Sequence, residues 1–215
     1  VIRYTYEQVA SMNLFDEVIV VTDSDIIFNE ISSHGGKAVM SKKEHESGSD
    51  RIAEAIAEMD VDVIINVQGD EPFIQQEPLE KLLRLFDDPT VEVGSLMRTI
   101  SAGEAADPNM VKVVTDQAGN ALYFSRSVIP FPRSGENFSG YHLHVGVYGY
   151  RKPALMAFTG WSPTPAERTE KLEQLRYLEH GIRIRMASTS HITIAIDTPE
   201  DLERARDWYS KNVVA

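Results

Sequence analysis

The sequence contains no cysteine, and this absence excludes several kinds of chemistry. Disulfide scaffolds, cysteine-ligated zinc and thiol catalysis all need cysteine side chains. Long apolar runs are also missing, so membrane insertion is not expected. Basic residues are scarce, 21 against 33 acidic ones, and the net charge of −12 argues against a nucleic-acid partner. These features fit a protein of the reducing cytoplasm.

Three common catalytic or nucleotide-binding signatures are absent as well. The sequence has no G-x-G-x-x-G fingerprint of dinucleotide-binding enzymes and no G-x-S-x-G nucleophile elbow. Gly35, Gly36 and Lys37 lack the remainder of a phosphate-binding P-loop. An NAD-dependent enzyme or a serine hydrolase of these types is therefore a poor fit.

The 215 residues suit a single domain spanning 1–215, in which strand-like and helix-like segments alternate. Continuous apolar runs predict strands at 16–22, 37–40 and 61–67. Helical periodicity predicts helices at 25–35, 50–59 and 77–86. This alternation predicts an α/β fold with a mixed, mostly parallel sheet.

The middle of the chain has a different pattern. Short strands joined by tight turns are predicted at 91–98, 111–116, 121–125 and 144–151. Residues 91–151 therefore form an expected antiparallel excursion that supports a substrate or a partner subunit. A loop at 129–140, a helix at 166–180, strands at 182–187 and 191–196, and a last helix from Pro199 complete the prediction.

Asp70 is a candidate metal ligand because it follows the apolar strand 61–67 and the turn at Gly69. Open α/β sheets bind ligands beyond the carboxyl ends of their strands. A carboxylate at that edge suits Mg²⁺, which takes one or two carboxylates together with phosphate oxygens. The alternative is that Asp70 is an ordinary turn residue.

Asp197 is a second candidate carboxylate, at the end of the predicted strand 191–196. Thr198, Pro199 and Asp201 have the pattern of a capped helix start, which leaves Asp197 outside the cap. Asp70 and Asp197 together would make a small hard-cation site. In the alternative interpretation, Asp197 is itself the helix cap.

A polar turn, HESGSDR at 45–51, leads into the helix predicted at 50–59. Free backbone N–H groups at a helix start favour polar or anionic ligand groups. Ordinary capping of that helix by Ser49 or Asp50 is the alternative.

Scarce cations and polar residues in the second half are candidates for binding a substrate carboxylate, and arginine does this bidentately. They are Lys112, Arg126, Ser127, His144 and Arg151. The alternatives are solvated surface charge and, for His144, a hydrogen-bonded core histidine. Glu173 and Gln174 lie off the apolar stripe of the helix predicted at 166–180, so they either reach ligand hydroxyls or form a solvated helix face.

Eight segments together resemble the 3-deoxy-manno-octulosonate (Kdo) cytidylyltransferases, also called CMP-Kdo synthetases. Each is short, but they follow the order of that family and cover nearly the whole chain. The segments are FDEVIVVTD (15–23), HESGSDRIAEA (45–55), NVQGDEP (66–72), DPNMVKVV (107–114), ALYFSRSVIP (121–130), HVGVYGYR (144–151), KLEQLR (171–176) and IDTPEDLER (196–204).

The resemblance implies a homodimeric enzyme with a Rossmann-like nucleotidyltransferase fold. It would couple Kdo to CMP from CTP, release pyrophosphate and use Mg²⁺, for lipopolysaccharide biosynthesis. Asp70 and Asp197 would hold the metal. The resemblance places near the cytidine Ser47, Gly48, Ser49 and Arg51. It places around the sugar acid Gln68, Arg126, His144, Glu173 and Gln174.

Two departures from the family pattern qualify this expectation. The family begins with a strand and a loop rich in Arg, Gly and Lys that grips the triphosphate, and no part of this sequence matches it. We expect that these residues precede Val1. Leu143 stands where the family tends to place a basic residue. The alternatives are a cytidylyltransferase for a related acidic sugar, or an inactive nucleotide-binding or dimerisation fragment.

Overall fold

The computed structural model describes residues 1–43, 45, 47–133, 138, 140–190, 196 and 198–212. The chain divides into two compact units. The first unit comprises Val1–Ala55, Val67–Gln76 and Ile192–Ala215, and the second comprises Ile56–Asn66 and Glu77–His191.

Helices and strands alternate in the first half of the chain, as predicted. In chain order the elements are α1 (Ile2–Ser11), β1 (Val20–Thr22), α2 (Asp25–Ser33), β2 (Ala38–Met40), α3 (Gly48–Ile56), β3 (Val63–Asn66), α4 (Gln76–Arg84), β4 (Val93–Ile100), α5 (Ala102–Ala105), β5 (Lys112–Thr115), β6 (Ala121–Ser125), β7 (Tyr141–Arg151), α6 (Lys152–Phe158), α7 (Pro165–Glu170), α8 (Leu175–Glu179), β8 (Ile184–Ser188) and α9 (Pro199–Asn212). The strand predicted at 191–196 lies outside the described residues except for Ile196.

In the first unit, β1 and β2 form a parallel pair in which Val20 lies opposite Ala38. The helix α2 connects these strands and packs its buried Ile31 inward. A short β–helix–β crossover of this kind is what the early alternation predicts.

In the second unit, the long strand β7 organises a six-stranded sheet of order β6-β5-β7-β4-β8, with β3 also paired to β7. It runs antiparallel to β3, β4 and β5, whereas β4 and β8 are parallel. The predicted α/β fold with a mixed sheet is confirmed. Antiparallel pairs are more numerous here than the sequence predicts, because β7 enters the sheet against the direction of its neighbours.

A bulge interrupts the pairing of β4 with β7. Ser95 lies opposite Tyr148, but Leu96 lies opposite Val145, so β7 carries two extra residues between these pairs. A bulge bends a strand and redirects its side chains, and bulges are common beside functional sites.

The helix predicted at 166–180 is instead two helices, α7 and α8, because Lys171 adopts the left-handed conformation with φ of 55°. The Leu172 N–H donates to the Glu167 carbonyl at 3.3 Å and closes this turn. Glu167 and Arg176 then join the helices by a buried two-bond pair, with Nε–Oε2 at 2.8 Å and Nη2–Oε1 at 2.5 Å. Residues 171–174 therefore form a turn, not a continuous helix face.

The core of the second unit is formed by the apolar faces of the sheet and its helices. Its fully buried side chains include Leu79, Leu96, Phe124, Leu155 and Ile184. In the described part of the chain, no helix combines the length and apolarity needed to cross a membrane.

Candidate functional site

Asp70 lies in a tightly held turn of the first unit. The Thr5 hydroxyl donates to the Gly69 carbonyl at 3.0 Å, and the Glu71 N–H donates to the Gln68 carbonyl at 3.2 Å. A Cβ atom on Gly69 would lie 2.4 Å from the terminal methyl group of Ile2, so a side chain at this position requires that methyl group to move. Gln68 is exposed within the same turn.

The chain that leads into α9 runs beside Asp70. The Ile196 N–H donates to the Asp70 carbonyl at 3.0 Å. Asp197, the next residue along this chain, lies outside the described residues, so its side chain is not placed.

The cap of α9 is Thr198. Its N–H donates to Asp201 Oδ2 at 2.9 Å, and its hydroxyl accepts from the Asp201 N–H at 3.1 Å. The capping pattern predicted from Thr198 and Asp201 is therefore confirmed. The alternative in which Asp197 is the cap concerns a residue that lies outside the described part of the chain.

Glu71 is 8% exposed, and its Oε2 atom is buried without a hydrogen-bond partner among the described residues. Burial, with a further contribution from the charge of Asp70, raises the pKa of Glu71 to about 7. Two carboxyl groups with an unsatisfied oxygen fit a hard divalent cation, which takes oxygen ligands. Within the described ranges, no group of three or more His, Asp or Glu side chains forms a metal site.

The start of α3 carries the predicted nucleotide residues of the first unit. The Ser47 hydroxyl accepts from the Asp50 N–H at 3.2 Å and donates to Asp50 Oδ2 at 2.8 Å. Ser47 is therefore the cap, and capping by Ser49 or Asp50 is wrong. A Cβ atom on Gly48 would meet nothing within 4 Å, so the helix start is open on that side.

Arg51 lies in the first turn of α3 and contacts Asp23, the residue that follows β1. Its Nη2 atom lies 2.6 Å from Asp23 Oδ2, while its Nε is buried without a partner in the described structure. An arginine with an unused buried donor is suited to a further acceptor, such as a nucleotide oxygen.

Glu54 fixes the loop that precedes this turn. Its Oε2 accepts from His45 Nε2 at 2.8 Å, from the Ser41 hydroxyl at 2.9 Å and from the Lys42 N–H at 3.2 Å. The bond from His45 is the main cause that lowers the pKa of Glu54 to about 2. Glu54 therefore remains ionised and holds the loop near α3.

In the second unit, His144 of β7 is a partly buried, neutral histidine. Burial lowers its pKa to about 3. Its Nε2 lies 3.0 Å from the Ser95 hydroxyl, which also contacts the Val145 and Val147 carbonyls at 3.2 and 2.9 Å. The Ser95 hydroxyl has one proton, and it donates this proton to a carbonyl because carbonyls only accept. The hydroxyl oxygen therefore accepts from His144, so we assign the imidazole proton to Nε2. Nδ1 is then left as an acceptor.

Tyr148 is a candidate site residue that the sequence pattern did not single out. Its ring lies 5.2 Å from that of His144. Burial raises the pKa of Tyr148, and the charge of Glu173 contributes to that increase. The structure thus brings together His144, Tyr148 and Glu173. The sequence did contain one signal, because residues four apart on a strand lie on the same face, as His144 and Tyr148 would on β7. The bulge in the pairing of β4 with β7 could not be predicted, so the face that these two side chains share was not known.

Arg126, at the end of β6, is anchored to the turn between α7 and α8. Its Nε donates to the Glu170 carbonyl at 2.8 Å, and Nη1 donates to the Pro108 carbonyl at 3.2 Å. Its N–H donates to Glu170 Oε2 at 3.0 Å. The guanidinium is therefore oriented by neutral carbonyls and keeps its positive charge available for an anion.

Glu173 and Gln174 occupy the turn that the left-handed Lys171 creates. Gln174 is 6% exposed, and Glu173 is partly buried. The solvated helix face considered from the sequence is therefore wrong for this pair. Arg126 reaches the start of the same turn, so Arg126, Glu173 and Gln174 belong to one part of the second unit.

Other candidate cations have structural partners. Arg151 Nη1 lies 2.6 Å from Asp62 Oδ2, and its Nη2 donates to the Phe86 carbonyl at 2.8 Å. Lys112 is 0% exposed and cannot touch a substrate. Ser127 is exposed, and its N–H donates to the Ser125 hydroxyl at 3.0 Å. The predicted ligand role is therefore not supported for Arg151 or Lys112.

Comparisons with known proteins agree with the sequence resemblance. The family model described as Cytidylyltransferase matches residues 1–184. A 3-deoxy-manno-octulosonate cytidylyltransferase of Flavobacterium johnsoniae is 58% identical over 210 residues, covering 96% of this chain and 86% of the relative. One of Christiangramia forsetii is 49% identical, covering 98% and 86%.

Solved structures are similar over nearly the full chain. The structure of CMP:2-keto-3-deoxy-manno-octonic acid synthetase complexed with CTP superposes with a TM-score of 0.93 at 40% identity, covering 99% of this chain and 88% of that one. A 4-diphosphocytidyl-2C-methyl-D-erythritol synthase of Anaerococcus prevotii, at 14% identity and a TM-score of 0.64, shares the fold, covering 97% and 88%.

Proposed function

The chain belongs to the cytidylyltransferase family, and on that premise we propose that it transfers CMP from CTP to Kdo, giving CMP-Kdo and pyrophosphate for lipopolysaccharide biosynthesis. The similarity over nearly the whole chain to a synthetase complexed with CTP is the observation that carries the proposal. The anomeric hydroxyl of Kdo attacks the α-phosphorus of CTP, the bond to pyrophosphate breaks, and no covalent protein intermediate is needed.

On the nucleotide side, Ser47, Gly48, Ser49 and Arg51 bind CTP at the start of α3. The helix start is open beside Gly48, and among the described residues Nε of Arg51 has no hydrogen-bond partner. Such a helix start favours an anionic ligand group. Glu54 keeps the preceding loop in place through His45.

Asp70 and Asp197 are proposed to hold Mg²⁺. A cation site at this turn is supported by the backbone contact between Ile196 and Asp70, and by the buried Glu71 oxygen that has no partner among the described residues. When bound, the metal supplies neutralisation of phosphate charge and a template for the two reactants. Gln68, exposed in the same turn, is proposed as a ligand of the sugar.

On the sugar side, Arg126 binds the carboxylate of Kdo, because its guanidinium is held by carbonyls and, among the described residues, no carboxylate binds it directly. Neutral His144 accepts a hydrogen bond from a sugar hydroxyl at Nδ1. Glu173 and Gln174 orient further hydroxyls from their turn. Correct orientation of both reactants supplies much of the rate acceleration.

We also propose that the enzyme is a cytoplasmic homodimer. Three large apolar side chains on and after β6 are exposed, Leu122 at 61%, Tyr123 at 38% and Phe131 at 81%. Large apolar side chains that are left exposed are the kind of residue that a partner subunit would cover. The cytoplasm is proposed because it supplies CTP.

The first test measures pyrophosphate release from CTP and Kdo, with Mg²⁺ and with EDTA. We expect release only with the metal and at least about 100-fold slower turnover for Asp70→Asn, since the amide loses the charge that a divalent cation requires. Asp60→Asn, at an exposed position, is the control. Near-normal turnover of Asp70→Asn would remove Asp70 from the metal site, and release with a related acidic sugar in place of Kdo would change the substrate.

A further inference from the structure

Lys112 is a buried cation for which the proposed reaction has no direct use. It begins β5, is 0% exposed, and its Nζ donates to the Arg126 carbonyl at 2.7 Å and to the Asp107 carbonyl at 2.8 Å. A fully buried lysine is rare unless it is paired, because burial of an ammonium group is costly. In the described part of the chain, both of its hydrogen-bond acceptors are main-chain carbonyls.

The neighbouring carboxylate does not neutralise Lys112 by direct contact. Glu170 accepts from the Ser125 hydroxyl at 2.7 Å and from the Arg126 N–H at 3.0 Å. The main chain of Arg126 is thus clamped on both sides, its N–H by Glu170 and its C=O by Lys112. Burial lowers the pKa of Lys112, and the charges of Asp107 and Glu170 oppose that shift.

The clamp determines where the guanidinium of Arg126 lies. Its side-chain donors reach the Glu170 and Pro108 carbonyls, and the second of these follows directly after Asp107, whose carbonyl also binds Lys112. Lys112 therefore connects the 107–108 segment with the end of β6. A shift of either segment would move the guanidinium relative to a bound carboxylate.

We propose that Lys112 is a positioning residue of the sugar-acid site, which acts through Arg126 and adds a second, buried positive charge that favours an acidic sugar. This inference rests on the proposed function and deepens it. Selectivity for a carboxylate then depends on two cations, Arg126 and Lys112. Of these two, Arg126 alone is able to touch the substrate. A purely structural lysine would instead affect folding and the binding of both substrates alike.

The test compares Kd values for Kdo and for CTP, measured by calorimetry, in the unaltered chain and in Lys112→Met. We expect the Kd for Kdo to rise at least about tenfold, or about 1.4 kcal/mol, and that for CTP to stay within about twofold. Lys152→Met is the matched control, because Lys152 also donates to two main-chain carbonyls, those of Ala57 and Met59, away from Arg126. Its Kd values should match those of the unaltered chain.

Lys112→Gln keeps a donor but removes the charge, and it replaces Lys112→Met if that variant fails to fold by circular dichroism. We expect a smaller rise in the Kd for Kdo than in Lys112→Met, again without a change for CTP. An unchanged Kd for Kdo in a folded variant, or equal rises for both substrates, overturns the inference. An unaltered chain that binds both substrates but releases no pyrophosphate contradicts the proposed function instead, and one that does not bind Kdo overturns both.

Discussion

At the scale of single residues, burial has set the protonation of groups that the sequence leaves open. His144 is neutral at physiological pH because its imidazole is partly buried beside Ser95 and aromatic rings. Lys112 is buried where the sequence allowed a surface cation. Charge type was readable from the sequence, but charge state and accessibility were not.

His144 should make stability depend on pH. Its pKa falls from 6.5 to about 3 on folding, so between these values the unfolded chain binds more protons, and the free energy of unfolding decreases as pH decreases. In urea titrations at pH 7 and pH 5, His144→Gln should lose less stability than the unaltered chain. The two proteins can differ in their loss of unfolding free energy by at most about 1.4 kcal/mol per pH unit.

The control for this titration is His180→Gln, which removes an exposed histidine stacked on Trp161 at 4.0 Å. It should lose as much stability as the unaltered chain between the same two pH values. Equal losses for His144→Gln and the unaltered chain would contradict a neutral His144.

At the scale of elements, the break between α7 and α8 has a larger effect on the candidate sugar site than either helix has. A left-handed residue at Lys171 ends α7 and brings Glu173 and Gln174 into a turn beside Arg126. Helical periodicity continues through this point in the sequence, so the pattern predicted one helix. The buried pair of Glu167 and Arg176, nine residues apart, holds the break in place.

Lys171→Gly should stabilise the protein, because glycine adopts the left-handed conformation without the steric cost that a Cβ atom brings. That cost is about 1 kcal/mol or slightly more. Thermal or urea unfolding measures the gain.

Thr159→Gly is the matched control at the end of α6, where the residue has φ of −69° and ψ of −15°. It should be neutral or destabilising, since glycine has no conformational advantage there. A loss of stability in Lys171→Gly equal to that in Thr159→Gly would show that the left-handed turn is wrong.

At the scale of the whole molecule, net charge and exposed apolar surface point to different partners. The charge of −12 opposes the approach of anionic CTP and Kdo, so binding depends on local cations such as Arg126 and on the metal. The exposed apolar side chains of Leu122, Tyr123 and Phe131 are those that we propose a second copy of the chain to cover.

Sedimentation velocity should show a dimer for the unaltered chain and a shift toward monomer for Leu122→Lys, because a charge in an apolar interface is costly. Ile26→Lys, which changes an 81% exposed side chain on α2, is the control and should remain dimeric. A monomeric unaltered chain, or a dimeric Leu122→Lys, would contradict the proposed interface.

The sequence by itself determined the alternation of elements, the capping of α9 by Thr198 and the identity of the family. These depend on neighbours within a few residues or on motifs in order along the chain. The pairing of β7 with its neighbouring strands could not be predicted from the sequence, because packing and loop geometry select strand partners that are distant along the chain.

Only the tertiary structure decided which polar residues act together. It brought His144 to Ser95 across the bulge, Arg126 to Glu170 across 44 residues, and Ile196 to Asp70. It also buried Lys112, and it left an oxygen of Glu71 buried with no partner in the part of the chain that the structure describes. Local sequence specifies which chemical groups are present, whereas their solvation and mutual distances arise from contacts between segments that are remote along the chain.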